Sequence, residues 1–448
     1  MTLLMVQVPT SHLGAGERVY PLGLSRLSAS LPRNFERKGL DMNIHPDPWL
    51  ALDGMLKEST PDIVALSFRN IDPLAGQQFS YLSSLKTAAM LVRKQAPRAR
   101  ILAGGPAFSL FAKQLMQEIP QIDMGLIGEG DRVFPRLLAP DLNPGDIPGL
   151  LWREMNGANP GRIISNTMGP RMKMDELVPM DTQMFPPTDY TRDNVYVAAL
   201  GIEGKRGCDL GCGYCLYPYL GGARVRLRNP VAIVDEIQGL KNEFGVTLFH
   251  FTDPVVNRPL DHFTALCTEM IKRDLDIQWT GFFREDTLSD HSISLARKAG
   301  LAAIYFSGDA LTDHGLSWLN KDLSKQDIFN ASKMTAKAGV LTMCHFLLNL
   351  PGETCDHIKE AEQMLDTLLD IHCSAGNLGA VIFNHVRLYP GAPMTRKLIR
   401  SGQLSDQTNL LYPVYHNPDE FAWVLHEFEA KCHSAGVFSR LGLREKTP

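Results

Sequence analysis

Short apolar runs recur along most of the chain, each followed by a stretch with helical spacing. This alternation restricts the fold more than any other feature. "LLMVQVP" (3–9), "PDIVALSF" (61–68), "ARILAGG" (99–105) and "IDMGLIGEG" (122–130) read as buried strands, and "DMNIHP" (41–46) as a shorter one. Between them, "YPLGLSRLSASL" (20–31) and "LKTAAMLVRKQAP" (85–97) carry the apolar spacing of helices. Continuous apolar strands separated by helices are buried on both faces, which implies a parallel, doubly wound α/β sheet over residues 1–140. Such sheets bind ligands at the carboxyl ends of their strands, where "SFRN", "AGGP" and "GEGD" fall.

A second series begins near Val195. "VTLFHFTD", "DIQWTGFF", "LAAIYFSGD", "VLTMCHFLLNLPGE" and "GAVIFNHVRLYPG" are further strands. The helix over 229–245 has Asn229 as its cap, Pro230 in its first turn, and an apolar stripe of Ile233, Ile237, Leu240 and Phe244. Six strand–helix units of this length suit a partial (β/α)6 barrel over 196–395. Residues 141–195, punctuated by seven prolines, read as a linker with a hairpin, and 396–448 as a small helical C-terminal region.

Composition narrows the function classes. The 448 residues carry a net charge of −4, which gives no electrostatic reason to expect nucleic acid or an anionic membrane. No apolar run approaches the ~20 residues of a membrane span. "LLMVQV" is too short for the apolar core of a signal peptide, so a cytoplasmic location is expected. Eight cysteines in such a chain argue against a disulfide framework. Cys267, Cys344, Cys355, Cys373 and Cys432 are scattered and read as small core residues.

The other three, Cys208, Cys212 and Cys215, stand together in "GKRGCDLGCGYCLYPYLGG" (204–222). Thiolates hold iron–sulfur clusters. Three of them leave a fourth iron open, and an open coordination position is what a reactive centre needs. Gly204, Gly207, Gly211 and Gly213 let the backbone close around a cluster and turn N–H groups toward its sulfurs. From the residues alone, three structural thiols, or a zinc site completed by a distant ligand such as His250, stay open as alternatives.

The C-x3-C-x2-C spacing, on the loop after the first strand of the second series, resembles the radical S-adenosylmethionine (SAM) superfamily. "FTDPVVN" (251–257), "YFSGDAL…WLNK", "LLNLPGET" (347–354) and "VRLYPGAPM" (386–394) resemble that family's later strand signatures. The resemblance implies a [4Fe-4S] cluster on Cys208, Cys212 and Cys215, with SAM on the open iron. It places Tyr214 near the adenine, Asp253 and Asn257 at the amino end of SAM, and Asp309 as the acid of the fourth strand.

Ahead of such a barrel, the first sheet resembles the Rossmann-like cobalamin-binding domain of B12-dependent radical SAM enzymes. This implies cobalamin held by Arg69, Gly104, Gly105, Glu129 and Gly130. Many cobalamin proteins carry D-x-H-x-x-G after the first strand; here "TSHLGA" keeps His12 but has Thr10 and Ala15 for the acid and the glycine. Arg69 resembles the arginine beneath cobalt in the branch that methylates tryptophan at indole C2 in thiopeptide biosynthesis. A guanidinium stays protonated and cannot ligate the metal, so cobalt would lack a lower ligand. In that branch a side chain caps the open iron, for which Glu285 and Asp286 of "FFRED" are candidates. Arg69 and Tyr305 are the catalytic candidates.

The function that the resemblance implies is cobalamin-dependent C-methylation of a small, perhaps indolic, substrate. The alternatives are a ring-forming or rearranging B12-dependent radical SAM enzyme and a non-catalytic cobalamin-binding protein. The expected partners are a small-molecule substrate and an external electron donor of flavodoxin or ferredoxin type, with no nucleic acid and no membrane. The oligomeric state is not legible in the sequence.

Overall fold

The apolar runs at the start of the chain become adjacent parallel strands in a computed structural model, which describes residues 1–10, 18–73, 79–156, 159–191 and 199–440. The chain divides into two compact units, one mainly of residues up to Gly201 and the other mainly from Ile202 onward.

In the first unit, β1 (Leu3–Gln7), β2 (Arg37–Asp41), β3 (Ile63–Ser67), β4 (Arg100–Gly104) and β5 (Met124–Leu126) pair in parallel in the order β2-β1-β3-β4-β5. All five residues of β1 are buried, as expected of a strand covered on both faces. The strand order reverses between β1 and β3, which makes the carboxyl ends of those strands the natural ligand crevice. The hairpin of the linker forms β6 (Leu150–Asn156) and β7 (Asn159–Ser165) and extends this sheet antiparallel from β5. Strand β2 lies earlier than 41–46. The Asp41 carboxylate accepts from Asn43 N (2.9 Å) and turns Met42–Ile44 into a short 3-10 helix where the strand was expected to continue.

The second unit begins with β8 (Gly201–Ile202). A two-stranded ribbon of β9 (Lys205–Arg206) and β10 (Arg226–Leu227) then brackets the cysteine loop. Strands β11 (Leu248–Phe251), β12 (Gln278–Phe283), β13 (Leu301–Asp309), β14 (Leu341–Leu348) and β15 (Leu378–Arg387) pair in parallel. The order is β8-β11-β12-β13-β14-β15-β16, an open six-strand barrel sheet with β16 (Tyr415–His416) added antiparallel at its edge. The C-terminal region is therefore not purely helical: Tyr415–His416 covers part of the unpaired edge of β15.

Side-chain alternation separates the two faces of this sheet. Phe251, Trp279 and Phe283 form an aromatic cluster, and Phe263 of the helix Leu260–Lys272 packs edge-on against Trp279 and Phe283. Phe282 and its neighbours face the other way, into the lumen. The helix Pro230–Phe244 forms as its signals require: Asn229 caps it through Val231 N, Ile233, Ile237 and Leu240 are buried, and Gly245 ends it at φ +69°. No helix among the described residues is long and apolar enough to cross a membrane.

Candidate cofactor-binding sites

The cysteine loop is held at both ends by the barrel strands around it. The backbone N–H groups of Gly204 and Lys205 donate to Asp253 Oδ1 (2.7 and 3.1 Å). The buried Lys205 Nζ donates to the carbonyls of Val255, Val256 and Arg258. Only glycine fits at 204, because a Cβ there would stand 2.7 Å from Asp253 Oδ2. Further along, Gly213 N donates to Leu319 O (2.7 Å), Met394 N donates to Gly213 O (2.8 Å), and Asn320 Nδ2 donates to Gly211 O (2.8 Å).

Cys208 is buried, Cys212 and Cys215 are half-buried, and all three are free thiols. Burial raises each above the ordinary cysteine value, Cys215 to about 12, even though Tyr217 N donates to its Sγ (3.4 Å). Such thiols keep their protons until a metal displaces them. Among the described residues no three His, Cys, Asp or Glu side chains are gathered tightly enough for a single metal ion. His250 is bonded through Nδ1 to Thr280 Oγ1 (2.8 Å). The zinc alternative thus finds no geometry, and the donor set suits a cluster that spreads its thiolate corners.

Beside the loop lies a network of buried charges. Asp309 ends β13 at φ +64°, after an irregularity in the β13–β14 pairing that re-aims its side chain. Its Oδ2 accepts from both Tyr214 Oη and Lys321 Nζ (2.6 Å for the lysine), whereas Oδ1 has no hydrogen-bond donor among the described residues. Burial works against the charge of Lys321, but Asp309, Cys212 and Glu285 outweigh it and hold the ammonium above the ordinary lysine value. Glu285 is only 2% exposed, and neither carboxylate oxygen has a hydrogen-bond partner among the described residues. Burial raises it to about 7 despite the pull of Lys321. Its neighbour Asp286 is taken by Arg284 Nε (2.8 Å), which leaves Glu285 as the available one of the two iron-cap candidates. Sequence reasoning quoted "WLNK" without a role for Lys321, which stands twelve residues beyond Asp309 and is returned to that carboxylate by the fold.

Two of the expected SAM contacts, Asp253 and Asn257, also have duties within the protein. Asp253 is 1% exposed and braces the loop backbone, with Oδ2 3.8 Å from Lys205 Nζ, and burial raises it to about 6. Asn257 is fully buried: Nδ2 donates to Arg284 O and Thr287 Oγ1, and Oδ1 accepts from Arg284 N. Asn257 and the Oδ1 of Asp253 join the loops of neighbouring strands, while Asp253 Oδ2 makes no hydrogen bond with a described residue. Tyr305 lies in the lumen, among other rings, away from the hydrogen bonds of the Asp309 network.

In the first unit, Arg69 follows β3 at the reversal of strand order. It is half-buried, and its guanidinium makes no hydrogen bond or ion pair with any described residue. Its charge reaches buried Asp41, whose carboxyl is raised by burial and pulled back by Asn43, Tyr190 and Arg69. A Cβ at Gly104 would meet only Leu126 O, at 3.7 Å, so the protein's own packing leaves room there. Gly105 differs: it sits at φ +103°, and a Cβ would lie 2.6 Å from Phe68 O, which makes it a requirement of the strand-to-helix crossing. At Gly130 a Cβ would press on Leu27 (3.0 Å). Glu129 accepts from Met172 N (3.2 Å) and lies 3.9 Å from Arg171. Of the glycine and acid positions expected to hold cobalamin, three therefore have structural duties of their own, and Gly104 is open. His12 lies outside the described residues. An unpaired cation and an uncrowded glycine at the crevice fit a large corrin ligand.

A loop of three thiols on a (β/α) barrel, preceded by a sheet with an open crevice, defines an enzyme that works with two cofactor sites. Residues 202–365 match the model of the radical SAM superfamily and 13–138 that of the B12 binding domain. An uncharacterized methyltransferase of Pyrococcus horikoshii is 22% identical, over 80% of this chain and 76% of the relative. The anaerobic magnesium-protoporphyrin IX monomethyl ester cyclase of Cereibacter sphaeroides is 27% identical over 69% of this chain, which spans 50% of that relative. The tryptophan 2-C-methyltransferase of Streptomyces laurentii is 24% identical, over 83% and 71%. Among solved structures, the radical SAM methyltransferase TsrM of Kitasatospora setae, with tryptophan and a SAM analogue bound, matches in fold. Its TM-score is 0.79 at 18% identity, over 97% of this chain and 89% of that one. The chain belongs to the cobalamin-dependent radical SAM family, with a [4Fe-4S] cluster, SAM and cobalamin as cofactors.

Proposed function

We propose that the chain methylates a carbon atom of a small, indole-bearing substrate. The observation that carries this reading is Arg69, a guanidinium without a partner among the described residues at the crevice of the cobalamin-binding sheet. Placed beneath a corrin, it would deny cobalt a lower ligand, because it cannot coordinate a metal while protonated. The 24% identity to a tryptophan 2-C-methyltransferase supports the substrate class.

When bound, the cluster, SAM and cobalamin supply the electron, the methyl group and its carrier; the side chains position, neutralise and shield. Cys208, Cys212 and Cys215 would hold three irons. Asp309 keeps Oδ1 for a hydroxyl or ammonium of SAM, while Tyr214 and Lys321 fix its other oxygen. Glu285 has a buried carboxylate with no hydrogen-bond partner among the described residues, suited to cap the open iron. An external single-electron donor of flavodoxin or ferredoxin type completes the requirements.

Anaerobic protein produced with hydroxocobalamin tests the proposal. Incubated with SAM, reductant and tryptophan or indole, it is expected to yield a product heavier by about 14 Da and S-adenosylhomocysteine. SAM consumption with no gain of a methyl group would favour the ring-forming chemistry of the cyclase relative instead.

A further inference from the structure

The lumen of the barrel carries a second feature that the cofactor sites do not use. His250, Phe282, Tyr305 and His345 stand on four consecutive strands, β11 to β14, and their rings touch. His250 meets Tyr305 edge-on at 5.5 Å and Phe282 at 6.0 Å. Phe282 lies 5.4 Å from Tyr305, and His345 lies 5.8 Å from Phe282 and 6.3 Å from Tyr305. These residues alternate with the buried Phe251, Trp279 and Phe283, whose cluster takes up Phe263 of the outer helix, so the four rings line the inner face. Phe282, Tyr305 and His345 are only half-buried.

The two histidines of this wall keep ring nitrogens that make no hydrogen bond with a described residue. His250 is tied through Nδ1 to Thr280, and its Nε2 makes no hydrogen bond with a described residue. Neither ring nitrogen of His345 makes one. Burial lowers His250 to about 4; it also lowers His345, against the pull of Asp309 and with help from Arg440. Both imidazoles are thus neutral at neutral pH; His345 keeps one bare nitrogen lone pair, and His250 Nε2 does so in the tautomer in which Nδ1 donates to Thr280. On the next strand, Asn384 keeps an enclosed Oδ1 without a partner. It alternates with Phe383, which packs on Phe428, and therefore shares the inner face.

We infer that this wall is the specificity site for a planar heteroaromatic ring bearing an N–H, which stacks against Phe282 and Tyr305 and donates to His250 or His345. The inference rests on the reading of the barrel as the seat of a small-molecule methyl acceptor. Aromatic faces supply area without charge, and a neutral imidazole acceptor selects a donor N–H over a cation-free ring that lacks one. A buried acceptor left unpaired by the wrong ligand costs affinity, so discrimination should be large.

The test is calorimetric titration of the cluster- and cobalamin-loaded protein with indole and with 1-methylindole, which has no N–H. Wild type is expected to bind indole at least about tenfold more tightly than 1-methylindole. His345→Phe and His250→Phe keep a ring in place, and in at least one of them the preference should fall below about twofold. Phe282→Leu should weaken both ligands alike. Should His250→Phe fold poorly, because it strands Thr280, the outcome rests on His345→Phe, whose ring has no hydrogen bond to lose. Equal binding of the two ligands by wild type, no binding of indole, or an undiminished preference in the histidine variants overturns the inference. The methylation assay separates this from the wider reading. Discrimination without methylated product would refute methyl transfer alone, and methylation of a non-aromatic compound without discrimination would refute the ring site alone.

Discussion

The carboxyl-end loops of the barrel and those of the first sheet solve the same task with different materials. On the barrel, buried polar side chains hold one another: Asp253 braces the cysteine loop, Asn257 ties two loops together, and Lys321 and Tyr214 share one oxygen of Asp309. On the first sheet such ties gather after β2, where Asn43 and Tyr190 donate to Asp41, whereas the crossing from β3 to β4 is closed mainly by backbone and glycine, with Arg69 a cation that has no partner among the described residues. The contrast matches the ligands. A small charged molecule such as SAM must be oriented by groups already in place, and preorganised charges do this without reorganisation. A corrin brings its own bulk and surface, so its crevice needs room more than it needs partners.

Substitutions at neighbouring positions can break this comparison. The largest effect is expected at Gly105→Ala, where the left-handed backbone and the approach to Phe68 O together should cost roughly 3 kcal/mol in denaturant unfolding. A smaller and pH-dependent effect belongs to the barrel. His250 is held near 4 in the folded chain, against about 6.5 unfolded. Between those values the folded chain binds fewer protons, so the contribution is complete above pH 6.5 and is lost as pH falls toward 4. Urea midpoints of His250→Phe and wild type, compared at pH 7.5 and pH 5, should shift in favour of the variant by about 2 kcal/mol on acidification. A gap that stays constant with pH would show that His250 is not buried as a neutral ring. The smallest effect is expected at Gly104→Ala, within about 0.5 kcal/mol of wild type, because nothing but a carbonyl at van der Waals distance meets the new methyl. A cost as large as that of Gly105→Ala would make the crevice a packed surface and remove the contrast.

Much of this organisation was legible in the sequence, for reasons that are local. Continuous apolar runs fixed the parallel strands, Asn229–Pro230 placed a helix start, and three cysteines within eight residues marked the metal loop. Strand β2 was misplaced because Asp41 caps a turn that apolar Met42 and Ile44 disguise as strand. Asp253 and Asn257 were placed at SAM by the resemblance of "FTDPVVN", and a sequence motif does not show which backbone N–H groups reach the same side chains. Glu285 was marked by "FFRED" and Lys321 stands at the end of "WLNK", but that the lysine pairs with Asp309 and that Glu285 rather than Asp286 is left over depend on which strand ends meet. The lumen wall was half visible: Tyr305 was singled out, but Phe282 and His345 follow from alternation only once the outer cluster of Phe251, Trp279 and Phe283 is known.

The account depends on two separate metal-bearing sites, each made by its own unit. Iron and cobalt measured per chain in anaerobically prepared wild type, Cys212→Ala and Gly104→Val test this most directly. Wild type should hold about four irons and about one cobalt, Cys212→Ala should lose iron and keep cobalt, and Gly104→Val should lose cobalt and keep iron. Wild type without either metal, or variants in which iron and cobalt fall together, would contradict it.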